Sequence, residues 1–242
     1  MEVNKPDYVY KNVVQINDTD SIRKFLANVF MWMFGALGIS TLFAYVFAEN
    51  GLWRLMVDVN AGSLSAFGLF IMFSPLIFVL IMRFGIDKIA FPILALLFVA
   101  FSATMGIWLS SILIIYTASS VIGVFLTSAI VFGIMALAGY TTKMDLSKFG
   151  SILYMFLIGM IVATVINFWL HSAGLNLIVT YIGVAVFVGL TAYKVQMLKN
   201  MGASLTPGDP TASKLALWGG MSLYITFINL FLTLLRLFGR RR

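Results

Sequence analysis

The chain has 242 residues, 61% of them hydrophobic and only 10% charged, with a net charge of +7 and no cysteine. A soluble domain of this size cannot bury so much apolar surface. The missing cysteines exclude disulfides, thiolate metal sites and cysteine nucleophiles. The charged residues cluster and leave five uncharged windows: Phe25–Ala48, Val59–Met82, Ile89–Thr142, Phe149–Tyr193 and Leu215–Leu235, of 24, 24, 54, 45 and 21 residues. About 20 apolar residues cross the hydrocarbon of a bilayer as a helix, so the three shorter windows hold one crossing each and the two longer ones two each. The expectation is an all-α, polytopic membrane protein with seven transmembrane helices. Barrel strands would alternate over about 10 residues, and the windows do not.

Residues 1–24 form a polar N-terminal arm, 25–238 the transmembrane domain, and 239–242 a basic tail. No cleavable signal is expected in the arm, and Glu2, Asp7, Asp18 and Asp20 argue against a mitochondrial transit peptide. The first helix is expected at about 25–47, followed by an outer loop at 49–62 with Trp53 as an interfacial anchor. Helix two follows at about 63–82, helix three at 89–109, helix four up to about Ala138, and helix five at 149–170. Helix six is expected at 175–193, ending against Lys194, and helix seven at 215–238. Pro207, Gly208 and Pro210 mark the loop before it as a turn. Pro75 and Pro92 are expected to kink helices two and three. Ala36-x3-Ser40 and Gly159-x3-Ala163 read as close-packing spots.

Lys and Arg concentrate in the arm, at Arg83–Lys88, at Lys143–Lys148 and from Lys194 to Lys214, while the intervening loops hold only Arg54. Alternate loops are basic, which puts the N-terminus in the cytoplasm and accounts for the net charge without any nucleic acid partner. Seven crossings place Arg240, Arg241 and Arg242 outside, against the same rule. Either the early loops dominate orientation or the last segment does not cross completely.

The last helix carries Ser222, Thr226, Asn229, Thr233 and Arg236 in steps of four, three, four and three, hence on one face. Polar groups facing lipid are costly, so this face should line the bundle interior or a wet cavity; the plainer reading is hydrogen-bonding glue between helices. His171, the only histidine, shares a face of helix five with Thr164 and Asn167 and reads as an interfacial residue rather than a proton switch. All nine carboxylates lie in arms or loops, so no intramembrane acid dyad exists. One histidine leaves no ordinary zinc site, and no nucleophile elbow or phosphate-binding glycine loop is present. No enzyme, cofactor or metal is expected.

Three segments, 141–150 (TTKMDLSKFG), 189–199 (GLTAYKVQMLK) and 222–239 (SLYITFINLFLTLLRLFG), together resemble the Bax inhibitor-1 family of membrane proteins. The resemblance implies six helices surrounding a central seventh and a cell membrane location, here bacterial. It also implies a passive, pH-dependent calcium leak, and in prokaryotes an association with a membrane-bound AAA protease. Animal relatives suppress cell death.

Calcium-leaking members carry two aspartates, on helices six and seven, that share a proton. Here those positions hold Lys194 and Thr226, which cannot form such a switch. Lys194 reads either as a gating residue or, more plainly, as a helix-end lysine snorkelling to the surface. Arg83 matches a basic latch at the inner end of helix two, Asn229 and Arg236 match retained family positions, and Asp145 reads as a cap or anchor of the inner loop. The function implied is a cation leak with altered gating. The alternative is a non-conducting regulator or scaffold of membrane proteins, such as that protease.

Overall fold

The computed structural model describes residues 18–58, 63–205 and 209–242. Most of the N-terminal arm, the tip of the first loop and the Pro207-Gly208 turn lie outside the described residues. Within them the chain forms α1 (Asp18–Glu49), a 3-10 turn (Leu52–Met56), a minimal antiparallel hairpin of β1 (Val57–Asp58) and β2 (Ser63–Leu64), then α2 (Ala66–Gly85), α3 (Phe91–Ile115), α4 (Ala118–Thr141), α5 (Ser147–Leu170), α6 (Ala173–Ser204) and α7 (Ala212–Phe238). All seven α-helices are long and apolar enough to cross a membrane. The fold is therefore the expected all-α one, apart from the small hairpin.

Helix ends depart from expectation where a charge closes an apolar window without closing the helix. Lys194, Gln196, Met197, Leu198 and Lys199 are all sound helix formers. Accordingly α6 runs about three turns past Lys194, and α1 begins well before Phe25. Pro75 lies inside α2, whereas Pro92 falls in the first turn of α3, where the missing N–H has no helical acceptor in any case, so it starts the helix rather than bending it.

At one end of the bundle the basic loops are tied together. Lys214 Nζ donates to the Ile86 carbonyl at 3.1 Å. Gln196 Nε2 donates to the Met144 carbonyl at 2.7 Å, and its Oε1 accepts from the Leu146 N–H at 2.8 Å. Lys199 Nζ donates to the Tyr140 carbonyl at 2.8 Å. The C-terminal tail lies at the other end. There Thr117 N–H donates to the Arg240 carbonyl and Arg242 N–H to the Ile115 carbonyl, each at 3.0 Å. The last helix therefore runs the full length of the bundle, and its arginines stand opposite the basic loops.

The core is organised around α7, which packs against α1, α3, α4 and α6, while α2 leans chiefly on α3 and α5 on α6. Most of α7 is buried, whereas α5 buries only Gly150. Small residues allow the close approaches. A Cβ on Gly106 of α3 would meet the Ser40 carbonyl of α1, one on Gly139 of α4 the Ala192 carbonyl of α6, and one on Gly220 of α7 the backbone and Cβ atoms of α1. Edge-to-face rings fill the remaining contacts: Phe101 on Tyr224 at 5.5 Å, and Phe125 and Phe132 on Phe227 at 5.3 and 5.5 Å.

Of the two small-residue pairs, Ala36 and Ser40 are buried at the α1–α3–α7 junction. Gly159 instead has no neighbouring atom within 4 Å of a built Cβ and is exposed, so it is not a packing spot. Trp53 and Trp108 both pack on a satellite cluster of Met56, Ile71 and Ile107.

Gly139→Val should therefore lower bundle stability by about 1–3 kcal/mol through overpacking, while Gly133→Ala, which faces open space within α4, should leave it unchanged or raise it by up to about 1 kcal/mol. Unfolding of the purified protein in mixed micelles measures both.

Candidate functional site

Lys194 does not snorkel. Three further turns of α6 hold it away from the helix end, and its side chain turns onto α7 with 8% of its surface exposed. Its Nζ donates to Thr226 Oγ1 at 2.8 Å and to the Ser222 carbonyl at 3.2 Å. Thr226 Oγ1 in turn donates to the same Ser222 carbonyl at 2.9 Å. Lys194 and Thr226 are thus bonded directly, in a closed triangle with Ser222 near the midpoint of α7. The Arg23–Asp20 ion pair lies on α1, and no acid among the described residues stands within ion-pair distance of Lys194. The buried amine is held by hydroxyl and carbonyl dipoles, not by a counter-ion.

The polar face of α7 divides. Thr226 and Thr233 are buried, with Thr233 set against Gly183 of α6. Ser222 and Asn229 are half-buried, and Arg236 is exposed. Thr233 Oγ1 and Asn229 Nδ2 both satisfy themselves on the preceding turn, at 2.6 and 2.8 Å. Together with Ile225 and Leu232, the half-buried residues form the least covered edge of α7. The stripe therefore marks the edge that the other helices leave partly open, and the apolar faces are the sealed ones.

At the basic end this edge borders a cavity of about 540 Å³ that runs inward as far as Ser222. Arg83 stands at its mouth, exposed, with its guanidinium 5.7 Å from the Trp218 ring. No bond joins Arg83 to Lys194 or Thr226, so the latch position is directed to an aromatic face rather than to an acid. Asp145 is exposed and anchors the turn before α5: its Oδ1 accepts from the Ser147 N–H at 2.9 Å. Hydrogen bonds from Ser147 hold its carboxyl below the usual carboxylate range. His171 lies at the opposite end, exposed, in the left-handed turn that closes α5.

Two groups escaped sequence reasoning. Gln196 fastens the α4–α5 loop to α6; the only signal was an amide two residues after Lys194. Tyr224 OH donates to Ser40 Oγ at 2.7 Å, and Ser40 Oγ donates to the Ser102 carbonyl at 2.7 Å, joining three helices. Its signal was a lone tyrosine among aliphatic residues, which composition alone does not distinguish from an interfacial one.

Thr226→Val removes the hydroxyl but leaves the amine buried. It should destabilise the protein by about 1–3 kcal/mol, with Thr226→Ser retaining most of the stability. Lys194→Met, which removes the charge and fills the space, should be close to neutral or stabilising. Denaturant titration of the three variants checks the order. For Asp145 the depressed folded value means that its contribution is complete above the unfolded carboxylate pKa of about 3.9 and is lost as the pH falls through the lower folded value. The protection factor of the Ser147 amide against hydrogen exchange should fall over that acidic range and stay constant between pH 5 and 8.

The sequence model of the family described as "Inhibitor of apoptosis-promoting Bax1" matches residues 22–242. The chain is 42% identical to the inner membrane protein YbhL of Escherichia coli K12 over 91% of its own length and 93% of that protein. It is 40% identical to an uncharacterized protein of Borreliella burgdorferi over 90% and 93%, and 34% identical to the uncharacterized protein RP147 of Rickettsia prowazekii over 92% of each. With its seven apolar helices and a match over nearly its whole length, the chain belongs to the Bax inhibitor-1 family of integral membrane proteins.

Proposed function

We propose that this protein is a non-conducting member of its family, located in a bacterial inner membrane with its basic end in the cytoplasm, and that it acts through contacts with other membrane proteins. A membrane-bound AAA protease is the partner class that the family resemblance offers. One observation carries the reading: the amine of Lys194, 2.8 Å from Thr226, fills the position where a calcium path would need a carboxylate. As an ammonium about 6 Å from a passing divalent cation, it opposes entry by about 5 kcal/mol at an effective dielectric of about 20. No acid among the described residues lies within ion-pair distance to cancel that charge. The half-open edge of α7, with Ser222 and Asn229, supplies polar groups that a neighbouring transmembrane helix could engage. The inner membrane location follows the name of the Escherichia coli relative.

A second reading, a cation leak with altered gating, draws support from the cavity, which brings solvent-sized space up to the residue whose carbonyl holds Lys194. In that reading Lys194 is the barrier, and displacing it opens the path.

Calcium flux into liposomes between pH 6 and 8 separates the two. The wild-type protein should give no flux above empty vesicles, and Lys194→Asp combined with Thr226→Asp should create a pH-dependent leak. Wild-type flux that is abolished by adding bulk at Thr226 would establish the leak instead. Affinity capture of the tagged protein from native membranes should recover a reproducible membrane-protein partner, and recovering none would count against the contact role.

A further inference from the structure

The cavity at the basic end differs in charge from the path that a cation would take. Two cations stand at its mouth, Arg83 from the end of α2 and Lys214 from the start of α7, with Asp87 as the one acid in its lining. Neither cation is within ion-pair distance of an acid among the described residues. Lys214 spends one N–H on the Ile86 carbonyl and keeps two donors. Arg83 rests its guanidinium on Trp218, which fixes its position while leaving its edge donors unused. Behind the cavity wall Lys194 donates to the Ser222 carbonyl and adds a third positive charge to the field.

The α6 wall of the cavity has a different chemistry. Met197, Leu198 and Met201 of α6, with Leu215 of α7, give it an apolar side. Methionine is unbranched and adapts to an irregular guest. Basic donors at the helix ends above an apolar channel fit a molecule with an anionic head and a hydrocarbon tail, placed where the headgroup layer meets the hydrocarbon. The tryptophan at the same level agrees with that depth.

The geometry points to a binding site for the phosphate of an anionic phospholipid, with the phosphate on Arg83 and Lys214 and an acyl chain running over Met197, Leu198 and Met201 toward Ser222. Basic pockets between transmembrane helices at the cytoplasmic side take such headgroups. The site would tie α2, otherwise supported mainly by α3, to α6 and α7 through a lipid. It stands whether or not the protein passes calcium.

Native mass spectrometry of the full-length protein, released from micelles containing dioleoyl phosphatidylglycerol or dioleoyl phosphatidylcholine, tests it. The wild-type protein should retain one phosphatidylglycerol in preference to phosphatidylcholine. Arg83→Gln with Lys214→Gln should weaken that retention about thirtyfold, two surface cations being removed. Asp87→Asn, which leaves both cations in place and removes the opposing charge, should strengthen it and guards against a variant that merely misfolds. Replacing Arg240, Arg241 and Arg242 with Gln, at the opposite end, should change nothing. Equal retention of the two lipids, or equal loss on changing the C-terminal arginines, would overturn the assignment. Displacement of the lipid by millimolar inorganic phosphate would also overturn it, in favour of a soluble anion; resistance to phosphate supports the lipid.

Discussion

Hydrocarbon offers no hydrogen bonds, so a polar group that enters it must find its partners within the protein. Lys194 is the severest case here. A lysine within the span of an isolated helix costs up to about 2.5–3.5 kcal/mol, the value at the bilayer centre, even on insertion scales that allow snorkelling. In this bundle the cost is met locally, by the Thr226 hydroxyl and the Ser222 carbonyl. That solution requires α6 and α7 to lie close together, which Gly183 permits by leaving room for Thr233 one face-repeat further along. It also requires α7 to be central, since only a helix wrapped by others keeps such a triangle away from lipid.

The charge at this point is set apart from the packing around it. An amine held by neutral dipoles neither attracts a cation nor shares a proton as a pair of acids would. Glycines bring α1, α3, α4, α6 and α7 together, and the phenylalanines of α3 and α4 pack edge-on against α7. Helix packing is decided by small residues and rings, while the central charge is decided by two side chains.

Much of this was legible in the sequence because lipid simplifies the code. Uncharged windows of sufficient length fixed the number of helices, and the alternation of basic loops anticipated which loops share an end. The same code misled where a charge was taken as a helix end. Lys194 closed an apolar window, so α6 was expected to stop there; the helix continued, and a lysine expected at the surface became a buried one. The stripe on α7 was recognised from its spacing, yet spacing cannot say which neighbours cover a face. Thr226 and Thr233 turned inward, whereas Asn229 and Arg236 lie toward an edge that the bundle leaves partly uncovered. Contacts far apart in the chain, such as Tyr224 with Ser40 or Gln196 with the α4–α5 loop, depend on which helices become neighbours and had no local signature.

The central claim is that the Lys194 amine is buried against Thr226 in the bilayer. Solid-state NMR of the protein in lipid, with 15N at the lysine side chain and 13C at the threonine side chain, measures it most directly. A strong Lys194 Nζ to Thr226 Cβ correlation, with little transfer from water, is the predicted result. A lysine nitrogen that correlates with water and lipid phosphate, and shows no contact to Thr226, would contradict it.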